Sequence, residues 1–420
     1  MLKTLENIQY DVAVIGGGPA GMMAAGTAAM HGARVILIEK NKMLGRKLLI
    51  TGKGRCNITN ADTSPGSFLE RFGKKGDYFF SILHGFSVED TISFFTERGM
   101  PVKTERGGRV FPESDRAGDV LAVLQKFLRE HGVTVQTNCR IQKIECEGNR
   151  ISAVQTQDGI ITARNFILCT GGLSYPATGS TGDGLAFARV LGHSIIEPRP
   201  SLVPIILEEK WAGELEGLSL KNVAISIFHE NKKISEEFGE ALFTANGMSG
   251  PIILDLSKKI GEILPGQITL SIDFKPALDN KILNERIQRD FRGNPNRMFR
   301  NSLDRLLPSS LVPVIVRLSG IDPDKKVNSV TREERKKLVN LLKDLRAHVA
   351  GLEGFDKAII TAGGISLDGI DLRTMRSKVT DNLFFAGEII DIDGPSGGYN
   401  LQICWSTGYC AGKAASEHVS

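Results

Sequence analysis

The sequence predicts an α/β protein, a doubly wound parallel sheet with a β-meander, interrupted by an inserted second domain of strands and helices. Three observations carry this expectation. Near the N-terminus an apolar strand from Asp11 to Ile15 runs without a gap into Gly16-x-Gly18-x-x-Gly21 and then into a helix of small residues. After Glu197-Pro-Arg-Pro200, a rigid exit, the pattern changes to polar–apolar alternation and then helical periodicity. Finally, Ala358 to Gly364 and Asn382 to Glu388 return to short apolar strands ending in glycine. The expected division is therefore 1–196 together with 353–420, and 197–352 as the insert.

The first βαβ unit occupies residues 10 to about 60. Gly16 permits the tight turn, Gly18 lets the backbone approach a pyrophosphate, and Gly21 lets helix and strand pack closely. Phosphate oxygens would then meet the free N–H groups at the helix start, around Pro19, Ala20 and Gly21. Arg34 to Glu39 reads as the second parallel strand, and Glu39 lies about 20 residues past the glycines, where a carboxylate accepts hydrogen bonds from an adenosine ribose. Lys40 stands beside it. Together these pieces predict a Rossmann-like dinucleotide site. A helix from Ala117 to His131 and a strand from Val133 to Thr137, carrying the candidate contact Val135, extend the sheet. Arg140 to Ala163 reads as short antiparallel strands around a Gly148-Asn149 hairpin. Asn165 to Gly172 is a further buried strand that ends at Thr170 and Gly171.

In the insert, strands are expected at Val223 to Phe228 and Ile268 to Phe274, and helices at Asn280 to Asp290 and Met298 to Leu307. The capping box Thr331-x-x-Glu334 should start a last helix that runs to about Val349. A final helix spans Leu401 to about Glu417.

With 420 residues and 41% hydrophobic side chains, each domain can bury its own core. The 52 basic and 48 acidic side chains leave a net charge of +4 without a Lys/Arg block, so no nucleic-acid partner is expected. Six cysteines without a C-x-x-C pair or metal-ligand spacing point to free thiols, a cytoplasmic protein and no metal. The apolar stretch from Val12 to Met30 is interrupted by glycines and serves as strand and helix, so it is not read as a signal peptide, and no membrane partner is expected.

The N-terminal fingerprint suits FAD and NAD equally; the C-terminal half selects FAD. A returning strand that ends at Gly387-Glu388 places an acid for a ribityl chain. Gly397-Gly-Tyr-Asn-Leu-Gln402 then opens the last helix, whose N-terminus, with Gly398, Asn400 and Leu401, would stabilise negative charge on a reduced flavin.

Four segments carry a resemblance across nearly the whole chain. They are Gly45-Arg-Lys-Leu-Leu-Ile-Thr-Gly-Lys-Gly-Arg-Cys-Asn57, Thr170-Gly-Gly-x-Ser-x-Pro-x-Thr-Gly-Ser-Thr-Gly-Asp-Gly184, Leu242-Phe-Thr-x-x-Gly-x-Ser-Gly-Pro251, and Ala386-Gly-Glu-x-x-Asp-x-Asp-Gly-x-x-Gly-Gly-Tyr-Asn400. In this order they resemble the bacterial flavoproteins described as NAD(P)/FAD-dependent oxidoreductases, with aminoacetone oxidase-like and bile-acid dehydro-reductase-like members. The resemblance implies bound FAD, a discontinuous FAD domain of the two-dinucleotide-fold type, and an insert that combines a β-barrel-like part with helices.

The segment Arg46 to Asn57 is the expected flavin wall, with Lys47 and Arg55 for electrostatics, Gly54 for close approach, Asn57 for polar edges and Cys56 as a packed residue. Cys56 has no second cysteine at position 51 or 61, so no dithiol relay is expected. Tyr175 and Tyr399 are the candidate proton donors. His84, His193 and His229 lack the spacing of a metal site or triad, and Ser249 reads as an N-cap ahead of Pro251. The expected activity is hydride transfer through flavin N5 between NAD(P)H, as external co-substrate, and a small organic molecule such as a conjugated carbonyl compound. An oxygen-using amine or ketone oxidase, a flavin-dependent RNA-modifying protein and a redox sensor without turnover are the alternatives.

Overall fold

From Val12 to Ile15 the chain carries no polar residue, and such a run is stable as a strand covered on both faces. In the computed structural model, which describes residues 9–417, this run belongs to the strand Tyr10–Ile15 inside a seven-stranded sheet. It pairs in parallel with Val35–Ile38 on one side and Ala163–Leu168 on the other. Thr134–Gln136 and Leu383–Phe385 extend the parallel part outward. Arg376–Ser377 and Ile370–Asp371 finish one edge in antiparallel pairing. The parallel α/β class matches the sequence expectation.

Helix Pro19–Met30 is built of small residues, so neighbours can approach its backbone. Helix Ala117–Glu130 packs on one side, with the Phe127 ring against Gly26, and helix Tyr399–Glu417 on another. Gly408 and Gly412 of the latter lie against Ala20 and Ala24; a Cβ at Gly408 would stand 2.5 Å from the Ala20 carbonyl oxygen.

The meander Ile141–Glu147, Arg150–Thr156 and Gly159–Ile161 turns at Gly148 and Asn149. One buried side chain fastens it to the sheet. Asn382 accepts from the Ile151 N–H at 2.9 Å and donates to the Ile151 and Arg164 carbonyls, each at 2.9 Å.

The chain divides into two units, one with the residues up to Pro200 and from Phe355, the other Ser201–Gly354. In the second, alternation places Val223, Ile225 and Ile227 inward. Its strands close a six-stranded barrel in the order Ile205–Leu207, Gly247–Ser249, Lys232–Thr244, Ser219–His229, Ile268–Asp273, Leu345–Leu352. Helices Pro251–Ile263, Asn280–Gly293, Leu311–Ser319 and Arg332–Lys343 share its apolar core.

Several sequence expectations need correction here. The capping box at Thr331 is present, but its helix ends at Lys343, and Leu345–Leu352 is a barrel strand. Leu345, Ala347 and Val349 are buried in alternation with exposed Arg346 and His348, a period of two that apolar counting had absorbed into the helix. Met298 to Leu307 is not a helix. Its Phe299 and Arg300 amides donate to the Lys325 and Pro323 carbonyls instead of to positions four residues back, so only Phe299–Asn301 forms a 3₁₀ turn. Gly250, not Ser249, caps helix Pro251–Ile263. The final helix begins at Tyr399 rather than Leu401.

Two outcomes follow from this packing. Gly408→Val should destabilise the protein by about 2–3 kcal/mol, because the added methyls meet backbone that cannot rotate away; denaturant midpoints measure this, and an unchanged midpoint would mean that the helices do not touch there. His193 is buried, its Nε2 at 2.9 Å from the Ser377 hydroxyl and its Nδ1 without a partner. Burial holds its pKa below the ordinary 6.5. The unfolded chain then binds the proton more readily than the folded one, so stability falls as pH drops below 6.5. His193→Gln should flatten that limb of the stability curve by up to about 1.4 kcal/mol per pH unit.

Candidate functional site

The glycine turn is held from both sides. Gly16 has φ +110°, and a Cβ there would collide with the Cys169 carbonyl at the end of the neighbouring strand. Gly21 lies directly over the Gly16 carbonyl. At Gly18, in contrast, a Cβ would meet nothing within 4 Å. Gly18 caps helix Pro19–Met30 with extended backbone, no side chain caps it, and no acid stands in the first turn. The result is a helix N-terminus with free N–H groups facing an open space, the electrostatics of an anion site.

Glu39 is oriented by the same turn. Its Oε2 accepts from the Gly17 N–H at 2.7 Å, and its Oε1 accepts from the Asn41 N–H and side-chain amide, both at 2.7 Å. Lys40 faces elsewhere, donating to the Thr181 hydroxyl at 2.5 Å and pairing with Asp183 at 2.9 Å. Burial opposes ionisation of Asp183, but the Lys40 hydrogen bond and charge outweigh it and hold the carboxyl below its usual range. Val135 lies on the edge strand opposite Leu37, with its side chain exposed.

The Arg46 to Asn57 segment is a short helix, Arg46–Ile50, followed by a 3₁₀ turn, Thr51–Gly54. Gly52, Lys53, Gly54 and Cys56 all have positive φ, which folds the segment sharply back on itself. Lys47 projects from it to Glu388, 2.7 Å from Oε2, and also donates to the Ser174 hydroxyl. Glu388 Oε1 accepts from Ser174 Oγ and from the Thr361 N–H, each at 2.7 Å. Thr361 Oγ1 in turn accepts from the Leu173 and Ser174 amides at 2.8 and 3.0 Å. Four distant parts of the chain therefore meet at one carboxylate. Ser174 and Thr361 were not among the sequence candidates, although Ser174 stands between Gly171-Gly172 and Pro176 in a quoted motif.

Arg55 points to a different cluster. It pairs with Glu105 and with Asp115, the latter at 2.6 Å, and its guanidinium lies 4.1 Å from the centroid of Phe111. Hydrogen bonds from Lys103 and then Arg55 depress the pKa of Asp115. Cys56 is fully buried, and burial pushes its thiol up to about 12, so it is no thiolate at neutral pH. Asn57 Oδ1 and Thr170 Oγ1 are buried polar atoms without a hydrogen-bond partner.

At the other helix N-terminus, Gly398 (φ +105°) sits against the Thr59 backbone, so no side chain fits there. Asn400 ties down the preceding loop, accepting from the Gly394 N–H at 2.8 Å and donating to the Gly394 and Pro395 carbonyls at 3.0 Å. Leu401 is half-buried behind it. Gly387, with φ +79°, donates to the Thr407 hydroxyl at 2.9 Å, which locks the Glu388 strand end to this helix. Gly171, also at positive φ, begins the turn that leads to Tyr175. Tyr399 is buried in an aromatic cluster, 4.8 Å from the Phe68 centroid and 6.0 Å from that of Phe72. Tyr175 is half-buried, with φ +50°, and its N–H donates to the Phe355 carbonyl. Of the two phenols, Tyr175 is the less enclosed. Among the described residues, no helix is long and apolar enough to cross a membrane.

Comparison with known proteins agrees with this geometry. The chain is 29% identical over 410 residues to a 3-dehydro-bile acid delta(4,6)-reductase of Clostridium scindens, covering 97% of this chain and 99% of that one. It is 31% identical over 405 residues to a ribosomal RNA dihydrouridine synthase of Escherichia coli, covering 96% and 97%. Among solved structures, a 3-ketosteroid-delta4-(5alpha)-dehydrogenase from Rhodococcus jostii shares the fold, with a TM-score of 0.55 at 16% identity over 99% of each chain. Residues 10–414 match the family model described as HI0933-like protein Rossmann domain, and the chain belongs to this family of flavoprotein oxidoreductases.

Proposed function

We propose that this protein is an FAD-dependent reductase that uses NAD(P)H to saturate a carbon–carbon double bond conjugated with a carbonyl group. The observation that carries the reading is the open, uncapped helix N-terminus at Gly18, beside a Glu39 carboxylate already oriented by Gly17 and Asn41. These residues suit the pyrophosphate and adenosine ribose of FAD. The unpartnered Asn57 and Thr170 oxygens offer further polar contacts to such a cofactor. Bound FAD would supply two-electron hydride chemistry at its flavin ring.

The substrate class is drawn from the two full-length relatives. One is named for reducing the delta(4,6) unsaturation of a 3-dehydro-bile acid and the other for forming dihydrouridine, and each name fits reduction of a ring double bond conjugated to a carbonyl. Such a substrate needs hydride at one carbon and a proton at the other. Tyr175 is the proton donor proposed here, and Lys47, held by Glu388 and Ser174, would offer a fixed positive charge to the bound cofactor. No second dinucleotide fingerprint is found in the sequence, so NAD(P)H is proposed to visit and leave. An RNA base is a second substrate reading, favoured by the distribution of basic residues in the insert.

Anaerobic titration of the purified yellow protein with NADH and NADPH, then with conjugated ketones, uridine-containing RNA and oxygen, tests the proposal. One FAD per chain and bleaching by a nicotinamide are expected; a colourless protein, or a flavin reoxidised by oxygen alone, would sink it. Gly18→Val should abolish FAD retention while leaving the fold's thermal transition in place. Lys47→Met and Glu388→Ala should each weaken FAD by about 1–3 kcal/mol. The double variant should lose less than the sum, because each single change strands a half-buried charge; additive losses would show that the pair does not act as a unit. Tyr175→Phe should slow substrate reduction by roughly 100-fold with flavin reduction by NAD(P)H nearly unchanged. Equal losses in both half-reactions, measured by stopped flow, would instead indicate a displaced flavin.

A further inference from the structure

The small net charge of the whole chain conceals a strong segregation. Between residues 280 and 343 there are 15 Lys and Arg against 7 Asp and Glu, an excess of eight in a chain whose total excess is four. The remainder is therefore net acidic. This stretch contains helices Asn280–Gly293 and Arg332–Lys343, which pack against each other and are joined by a 2.8 Å hydrogen bond from Arg335 to Asn284. Leu283, Ile287 and Phe291 of the first, and Leu338, Val339 and Leu342 of the second, enter one core. Their opposite faces are left to solvent.

Four of the seven acids are already neutralised by local pairs, Asp290 with Arg286, Asp304 with Arg297, Asp324 with Arg300 and Glu334 with Lys325. The exposed Lys281, Arg289, Arg292, Arg332, Lys336 and Lys337 have no carboxylate within ion-pair distance among the described residues. Unpaired cations recurring on the solvent faces of two packed helices form a surface for a polyanion.

The same stretch limits what that polyanion is. Its only aromatic residues, Phe291 and Phe299, are both buried. It thus has neither a stacking platform for single-stranded bases nor the aromatic anchors of a membrane-bound face. What remains is recognition of phosphates held on a regular, rigid scaffold. We propose that the helical part of the insert binds the phosphate backbone of a folded RNA. The choice of RNA rests on the reductive reading above, because folded RNA presents unpaired uracil, a ring with a carbonyl-conjugated double bond, next to helical phosphate surfaces.

The test uses the oxidised holoprotein, so that binding is read without turnover. An RNA hairpin with a uracil-rich loop, a duplex DNA of equal length and phosphatidylserine vesicles are compared across a salt series. Wild-type protein should retain the hairpin, with affinity falling steeply with salt. Arg289→Glu, Arg292→Glu, Lys336→Glu and Lys337→Glu combined should reduce the magnitude of the log–log salt slope by about 3–4 and weaken binding by roughly 100-fold or more at 0.1 M salt. FAD content and NAD(P)H-dependent reduction of a small conjugated ketone should be unchanged in the variant. Equal binding by variant and wild type, failure of wild type to retain the hairpin, equal retention of the DNA, or binding to vesicles in its place would each overturn the proposal. RNA that is bound at this face but, in a separate incubation with NAD(P)H, never reduced would uphold the surface and sink the reading of an RNA base as substrate instead.

Discussion

The approach of helix Tyr399–Glu417 to helix Pro19–Met30 is the contact on which the candidate site depends. Gly408 and Gly412 allow it, because any side chain there would strike the Ala20 or Ala24 backbone. The consequence reaches both helix starts. The Thr407 hydroxyl next to Gly408 accepts from the Gly387 amide, so the C-terminal strand end that carries Glu388 is held against the glycine turn through the same pair of helices. Gly387 itself faces Ala20. The glycine turn at one end of the chain and an acidic strand end at the other are thus brought together through packing of small residues.

Electrostatics then complete what packing begins. Glu388 is a carboxylate with both oxygens engaged, by Lys47 on one side and by Ser174 and the Thr361 amide on the other. A half-buried pair of this kind adds little net stability by itself, since desolvation offsets much of the attraction, but removal of either partner leaves an uncompensated charge. Its contribution is to fix the position of Lys47, and with it that of helix Arg46–Ile50. The thiols play no comparable part. Burial raises the pKa of Cys56, Cys169, Cys404 and Cys410, and it outweighs the opposing charge of Lys47 at Cys404 and of Lys413 at Cys410, so none of them is a thiolate at neutral pH.

Charge in the insert obeys a different logic. Barrel and helices share one apolar core, and the helical segment directs an uncompensated basic excess outward. Averaged over 420 residues that excess almost vanishes, which is why composition argued against a polyanionic partner. A local count shows the basic excess that the sum over the whole chain conceals.

Much of the architecture was legible along the chain. The strand from Val12 to Ile15, the glycine turn, the parallel return at Val35–Ile38 and the meander around Gly148 depend on neighbours within a few tens of residues, where apolar period and glycine spacing act directly. Elements whose backbone bonds go far away were misread. Phe299 and Arg300 look helical by spacing, yet their amides are satisfied by Lys325 and Pro323. Leu345 to Leu352 continues an apolar pattern, yet it pairs as a barrel strand with Ile268–Asp273 and Ile205–Leu207. The sequence by itself determined the glycine turn, the helix that starts at Pro19 and the strand that leads to Glu39, because a tight turn and a helix N-terminus are local chemistry. Only the tertiary structure decided that Lys47, Ser174, Thr361 and Glu388 converge and that Tyr399 is walled in by Phe68 and Phe72. A hydrogen bond across hundreds of residues leaves no periodic trace, since it is specified by the packing of everything between.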